Sequence, residues 1–133
     1  MARQVHRDPE RVLDAIAQAM SPSDADVVRR PEVRRVLGED IAEAFRQGSR
    51  GAARDVVLLG RPWGFSPGSI STPVLLWQGE VDTLVPLAMG KFMASAIPQC
   101  RATFFPSEGH LLFVDHMDEI VSAFAPAGRR DAS

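Results

Sequence analysis

Two loops of this 133-residue chain carry the residue types that general-base chemistry needs. The first is "GEVDTLVP", which places Asp82 three residues past Gly79. The second is "SEGHLL", which places His110 directly after Gly109. A histidine exchanges protons near neutral pH, and it works best as a base when its other ring nitrogen is held. A carboxylate that accepts the Nδ1 proton fixes the tautomer and stabilises the imidazolium that forms. An Asp after a strand also serves as a turn former or a helix cap, and a lone loop histidine is commonly solvated or structural. The chemistry therefore depends on the two residues meeting across 28 positions of sequence.

A third stretch, "GFSPG" at residues 64–68, has the letters of a nucleophile motif, Gly-x-Ser-x-Gly. That motif requires a strand, a strained turn holding the serine, and then a helix. The N–H that follows the serine must also point at the developing oxyanion. Pro67 has no N–H to offer, and it pushes Ser66 towards extended backbone. Before the motif stands "GRPW" rather than an apolar strand, and after it comes "GSISTP" rather than a helix. Ser66 is therefore expected to be part of a linker.

Other candidates fall away in the same manner. Asp115 and His116 are predicted on the solvated face of a final helix, and His6 stands in a polar stretch with no assigned role. The single cysteine, Cys100, precedes a predicted strand with no clustered partner and is read as packing. No His, Cys or carboxylate group has zinc spacing, and no Gly-rich phosphate loop follows a strand. No metal or cofactor is expected.

The elements that must position Asp82 and His110 change character near residue 60. The earlier part reads as helical. "DPERVLDAIAQAM" has Asp8 as cap, Pro9 in the first turn and Val12, Ile16, Ala19 and Met20 on one face. "SPSD" begins a second helix with Ser21 as cap and Asp24 in its first turn. A third starts at Pro31 with a stripe through Val33, Val36, Leu37, Ile41, Ala44 and Phe45, stopped near Gly48. "GAARDVVLL" makes a fourth, short helix. Residues 61–73 form a Gly/Pro-rich linker in which Trp63 and Phe65 are expected to anchor the loop on a core.

From residue 74 the pattern alternates. "PVLLWQG" reads as a buried parallel strand, and "PLAMGKFMASAIP" as a helix with Met89, Phe92, Met93, Ala96 and Ile97 on one face. "RATFFP" is a second strand, and "LFVDHMDEIVSAF" a last helix. Residues 126–133 are expected to be a frayed tail. A strand–helix–strand crossover predicts parallel strands, so both candidate loops leave the same sheet edge. Two strands do not make a well-buried parallel sheet unaided, which predicts an exposed edge on the first strand.

Composition fits a globular domain, with 45% hydrophobic and 24% charged residues. A net charge of −2 gives no basic excess to attract nucleic acid or an anionic membrane. No apolar run has the length of a signal peptide or a membrane span, and one cysteine excludes an intrachain disulfide. A cytoplasmic protein is expected.

Over residues 70–125 the chain resembles the last two strand–helix units of the α/β-hydrolase family. "STPVLLWQGEVDTLVP" is similar to the segment whose "G-x-x-D-x-x-V-P" loop carries that family's triad acid. "RATFFPSEGHLL" is similar to the segment whose "G-H" loop carries its histidine. The resemblance implies an α/β fold: a partial α/β-hydrolase with an N-terminal helical cap segment over residues 1–60, the linker, and a core fragment over residues 74–125. It implies Asp82 and His110 as acid and base of a small-molecule ester or amide hydrolase, with Trp63 and Phe65 lining an apolar substrate pocket. It also implies that the nucleophile lies on other sequence. On that reading the chain is a truncated product, a fragment from an internal start or half of a split enzyme, and is inactive alone. Epoxide, haloalkane, acyl-transfer and haloperoxidase chemistries use the same framework and stay open. So does a different class, a non-catalytic assembly module whose exposed strand edge pairs with another chain.

Overall fold

The computed structural model describes residues 8–124. The expected tail over 126–133, and His6, lie outside the described residues. The first helix, α1 (Pro9–Ala19), starts where Asp8 accepts the N–H of Arg11 at 3.0 Å. Its buried face is Val12, Leu13 and Ala17. That face is turned from the predicted one, because α3 (Pro31–Ala44) crosses close enough for Leu13 to lie against Gly38. The intervening helix, α2 (Pro22–Val28), is capped by Ser21, whose Oγ accepts the N–H of Asp24 at 3.2 Å. Ala17, Ala25, Val27 and Val28 form a small core, with Met20, Val33 and Leu37 packed against it. Arg34 on α3 ties back to Glu10 and Asp14 on α1. The stripe on α3 contributes no fully buried residue, and α4 (Arg50–Leu59) contributes none either.

A 3₁₀ turn at Pro67–Ser69 interrupts the linker. Then β1 (Val74–Gly79) pairs in parallel with β2 (Cys100–Phe105), from Val74 opposite Cys100 to Gly79 opposite Phe105. The crossover helix α5 (Leu87–Ala96) packs on both strands. Of its predicted face, Ile97 just past its end is buried and Met93 and Ala96 are half-buried beside the buried Gly90, whereas Met89 and Phe92 are exposed. After β2 come a 3₁₀ turn (Leu112–Val114) and α6 (Met117–Ala123). The last helix is thus shorter than its sequence pattern predicts. The apolar run that opens it is bent into a turn so that Leu111 and Leu112 can be buried.

The expectation of a buried first strand needs correction. Val74 to Trp77 are only half-buried, and β2 is more exposed still. Among the described residues β1 has one hydrogen-bonded neighbour, so its apolar run is covered incompletely.

Candidate active site

Both site loops begin at the carboxyl ends of strands that finish in register, Gly79 opposite Phe105. They are stitched together by backbone bonds: Glu80 donates to the carbonyl of Phe105 at 2.9 Å and Val81 to that of Glu108 at 3.1 Å. The approach is so close that a Cβ on Gly79 would stand 2.1 Å from the carbonyl oxygen of Glu108. In this setting His110 Nδ1 comes to 3.0 Å from Asp82 Oδ2. An ionised carboxylate has only acceptors, so Nδ1 carries the proton, and in the neutral ring Nε2 presents a lone pair.

Asp82 serves two ends at once. Its Oδ1 accepts the N–H groups of Leu84 at 2.8 Å and Val85 at 2.9 Å, which is the turn-forming role of an Asp after a strand. Its Oδ2 is left for His110. Gln78, buried beneath, donates to the carbonyl of Val85 at 2.8 Å and pins the same loop. Burial pushes the Asp82 carboxyl up. The N–H of Val85, the His110 ring, the N–H of Leu84 and the histidine's charge outweigh that and hold it below the usual carboxylate range. The Asp82 side chain is 5% exposed and that of His110 39%, so the carboxylate is shielded while the ring reaches the surface.

The pair opens into a cavity of about 390 Å³ whose apolar wall includes Trp63, Leu76, Val85, Met89 and Met93. Trp63 therefore reaches the site. Phe65 does not line this cavity: it packs on Trp63, ring centroids 5.9 Å apart, and both rings are more than half exposed. The expectation that the two anchor the linker on a core thus fails, since neither ring is itself buried.

Ser66 stands outside this constellation. Its backbone is extended (φ −94°, ψ 136°), and its Oγ accepts the N–H of Gly68 at 3.3 Å as the cap of the 3₁₀ turn. Asp115 is exposed, as predicted, but His116 is half-buried, and both have partners that the prediction did not include. Asp115 makes a two-pronged pair with Arg30, one prong at 2.8 Å. His116 bridges Glu108 at 2.8 Å and Glu119 at 3.1 Å and packs on Phe105. The hydrogen bond to Glu108, seconded by Glu119, holds the His116 pKa above its ordinary value despite some desolvation. Sequence spacing could not show these partners, because Arg30 is 85 positions from Asp115.

Asp24 is a further residue that the sequence reading missed. It was legible only as a first-turn acid of α2. The structure buries it to 1% exposure, against the His110 loop. Among the described residues no group of three or more His, Cys, Asp or Glu side chains is arranged to hold a metal ion. No helix among them is long and apolar enough to cross a membrane.

Parallel strands with an acid and a histidine at their carboxyl ends, joined by a crossover helix, define a class: this is a partial α/β-hydrolase fold. An esterase from Exiguobacterium antarcticum shares it, with a TM-score of 0.60 over 92% of this chain and 43% of that one, at 16% identity. In sequence the chain is similar to proteins named pimeloyl-[acyl-carrier protein] methyl ester esterase. The one from Chromobacterium violaceum is 24% identical over 90% of this chain and 52% of its own length. The one from Aromatoleum aromaticum is 29% identical over 84% and 44%. A third, from Nitrosomonas europaea, is 34% identical over a shorter stretch, 41% of this chain and 22% of the relative. The chain thus spans about half the length of the first two relatives. No family model matches it.

Proposed function

We propose that this chain is the acid-and-base portion of a hydrolase acting on carboxylic esters, with Asp82 and His110 as two members of its triad. The observation that carries the reading is the 3.0 Å contact between His110 Nδ1 and Asp82 at adjacent ends of two parallel strands. The names of the relatives support ester substrates, and the apolar wall around the pair supports an acyl or alkyl group beside the base.

In this mechanism a serine on sequence outside these 133 residues attacks the ester carbonyl. His110 Nε2 takes the serine proton and passes it to the departing alkoxide, leaving an acyl-enzyme and an alcohol. Water then attacks the acyl group and gives its proton to His110. The carboxylic acid departs, and the proton returns to the serine. Asp82 stays ionised throughout and steadies the imidazolium. The N-terminal helices serve as a cap, and Trp63 on the linker forms part of the acyl pocket. A cytosolic location belongs to the same reading.

The test is to compare this chain with a polypeptide extended by the reading frame upstream. The extended form is expected to hydrolyse p-nitrophenyl esters and to lose that activity in His110→Ala. The chain alone is expected to take up no stoichiometric fluorophosphonate label. Labelling of the chain alone that disappears in Ser66→Ala would overturn the assignment. The one-sided pairing and half-burial of β1 favour a second reading, in which that edge receives a strand from another chain. Light scattering decides it: a cooperative monomer counts against partner pairing.

A further inference from the structure

We infer that Asp24, on the second helix, is a positioning residue for His110, so that the N-terminal helices and the base are held as one mechanical unit. This rests on the reading of His110 as the base. Asp24 Oδ1 accepts the N–H of Leu111 at 2.7 Å, and Oδ2 accepts the N–H of His110 at 3.0 Å and the hydroxyl of Ser21 at 2.7 Å. Three donors aimed at one carboxylate are what a buried negative charge requires. The first-turn position of Asp24 would ordinarily send its carboxylate back to the N–H of the cap residue. Here it is diverted to two consecutive amides 86 and 87 positions away.

The diversion has a geometric consequence. The N–H groups of His110 and Leu111 belong to the two peptide planes that flank the His110 Cα, so fixing both fixes the direction in which the His110 Cα–Cβ bond points. Asp82 then holds the far end of the same side chain. The histidine is gripped at backbone and ring by two carboxylates from distant parts of the sequence. Gly109 is part of this device. A Cβ there would stand 2.1 Å from Asp24 Oδ2 and 2.3 Å from Ser21 Oγ, so its role is clearance for the carboxylate. The described backbone has positive φ only at Gly48 and Gly64, so Gly109 supplies clearance rather than a left-handed conformation. Leu111 enters the core of the N-terminal helices beside Val28, and Arg30 reaches across to Asp115. Any shift of α2 therefore drags the His110 backbone with it.

Nitrogen-15 NMR of the imidazole rings in the full 133-residue chain, at a pH where the rings are neutral, reads this directly. Wild type is expected to favour the Nδ1–H tautomer of His110 by more than about tenfold, the worth of a charge-assisted hydrogen bond. Asp82→Asn removes that preference and serves as the reference for its loss. Asp24→Asn, which replaces one acceptor oxygen with a donor, is expected to reduce the preference to within about threefold while Asp82 is intact. Ser21→Ala should give a smaller loss and Ser21→Thr should restore it. A folded Asp24→Asn chain that keeps the wild-type tautomer overturns the inference. If Asp24→Asn does not fold, Ser21→Ala decides: an unchanged tautomer in that variant overturns it equally. No step uses ester hydrolysis, so a failed activity assay would sink the functional reading without touching this result.

Discussion

The N-terminal helices and the two-stranded sheet reach closure by different means. Among the described residues, six of the nine buried apolar ones, Val12, Leu13, Ala17, Ala25, Val27 and Val28, belong to α1 and α2. The strands contribute none; their fully buried positions are Gln78 and Gly79, at the site end of β1. The helices satisfy one another around a shared core, whereas the sheet has satisfied backbone along one edge of β1 and a half-covered face. Most of the buried apolar side chains and the Asp82–His110 pair thus come from different elements, which meet at Leu111 beside His110. The strands carry the acid and histidine, and the helices supply the packing against which the histidine loop is seated.

Substitutions at matched apolar positions would break this contrast or sharpen it. Leu13→Ala, at 1% exposure, is expected to cost about 2–5 kcal/mol in urea unfolding. Leu76→Ala on β1 is expected to cost about 1 kcal/mol, and Leu59→Ala on α4, at 79% exposure, to stay within about 0.5 kcal/mol. Equal losses at positions 13 and 76 would show that the sheet is as well buried in solution as the helices. Between positions 13 and 76 in size falls Gly79→Ala. Its Cβ meets backbone, which cannot swing aside, so a loss of about 1–3 kcal/mol is expected. The His110–Asp82 hydrogen bond should be disturbed as well, which an NMR titration of the ring would report.

The smallest effect depends on pH. His116 has its folded pKa raised above 6.5 by Glu108 and Glu119. Its stabilisation is complete below the unfolded value and is lost as pH rises through the folded value. His116→Gln should therefore flatten the fall in melting temperature on the alkaline side of about pH 6.5. Asp82 has the opposite sign. Its depressed pKa contributes stability above the ordinary carboxylate value, and that contribution is lost as pH falls.

The helix starts at Asp8, Ser21 and Pro31, both strands, and the Asp82–His110 pair were legible because each rests on local chemistry or a short motif. Caps and prolines mark boundaries within a turn, and a parallel crossover fixes which loops share an edge. Faces were less legible. Leu13 is buried in place of Ala19, and Met89 and Phe92 are exposed, because helix rotation is decided by what crosses the helix. Least legible were Asp24, Arg30, Asp115 and His116. Each has an ordinary local explanation, and their actual partners are tertiary. Phe65 was placed in the pocket by the resemblance, beside Trp63, and its ring packs on Trp63 without lining the cavity.

The placement of Asp24 bears on how such a chain can be inherited in pieces. Asp82 and His110 lie within one strand–helix–strand unit, so a recombination breakpoint anywhere before residue 74 transfers both together. A breakpoint between Val28 and Val74 would transfer the pair but leave behind the carboxylate that receives the amides of His110 and Leu111. If His110 is the base and Asp24 positions it, as proposed, the heritable module is longer than its motif, and its upstream limit lies before Ser21.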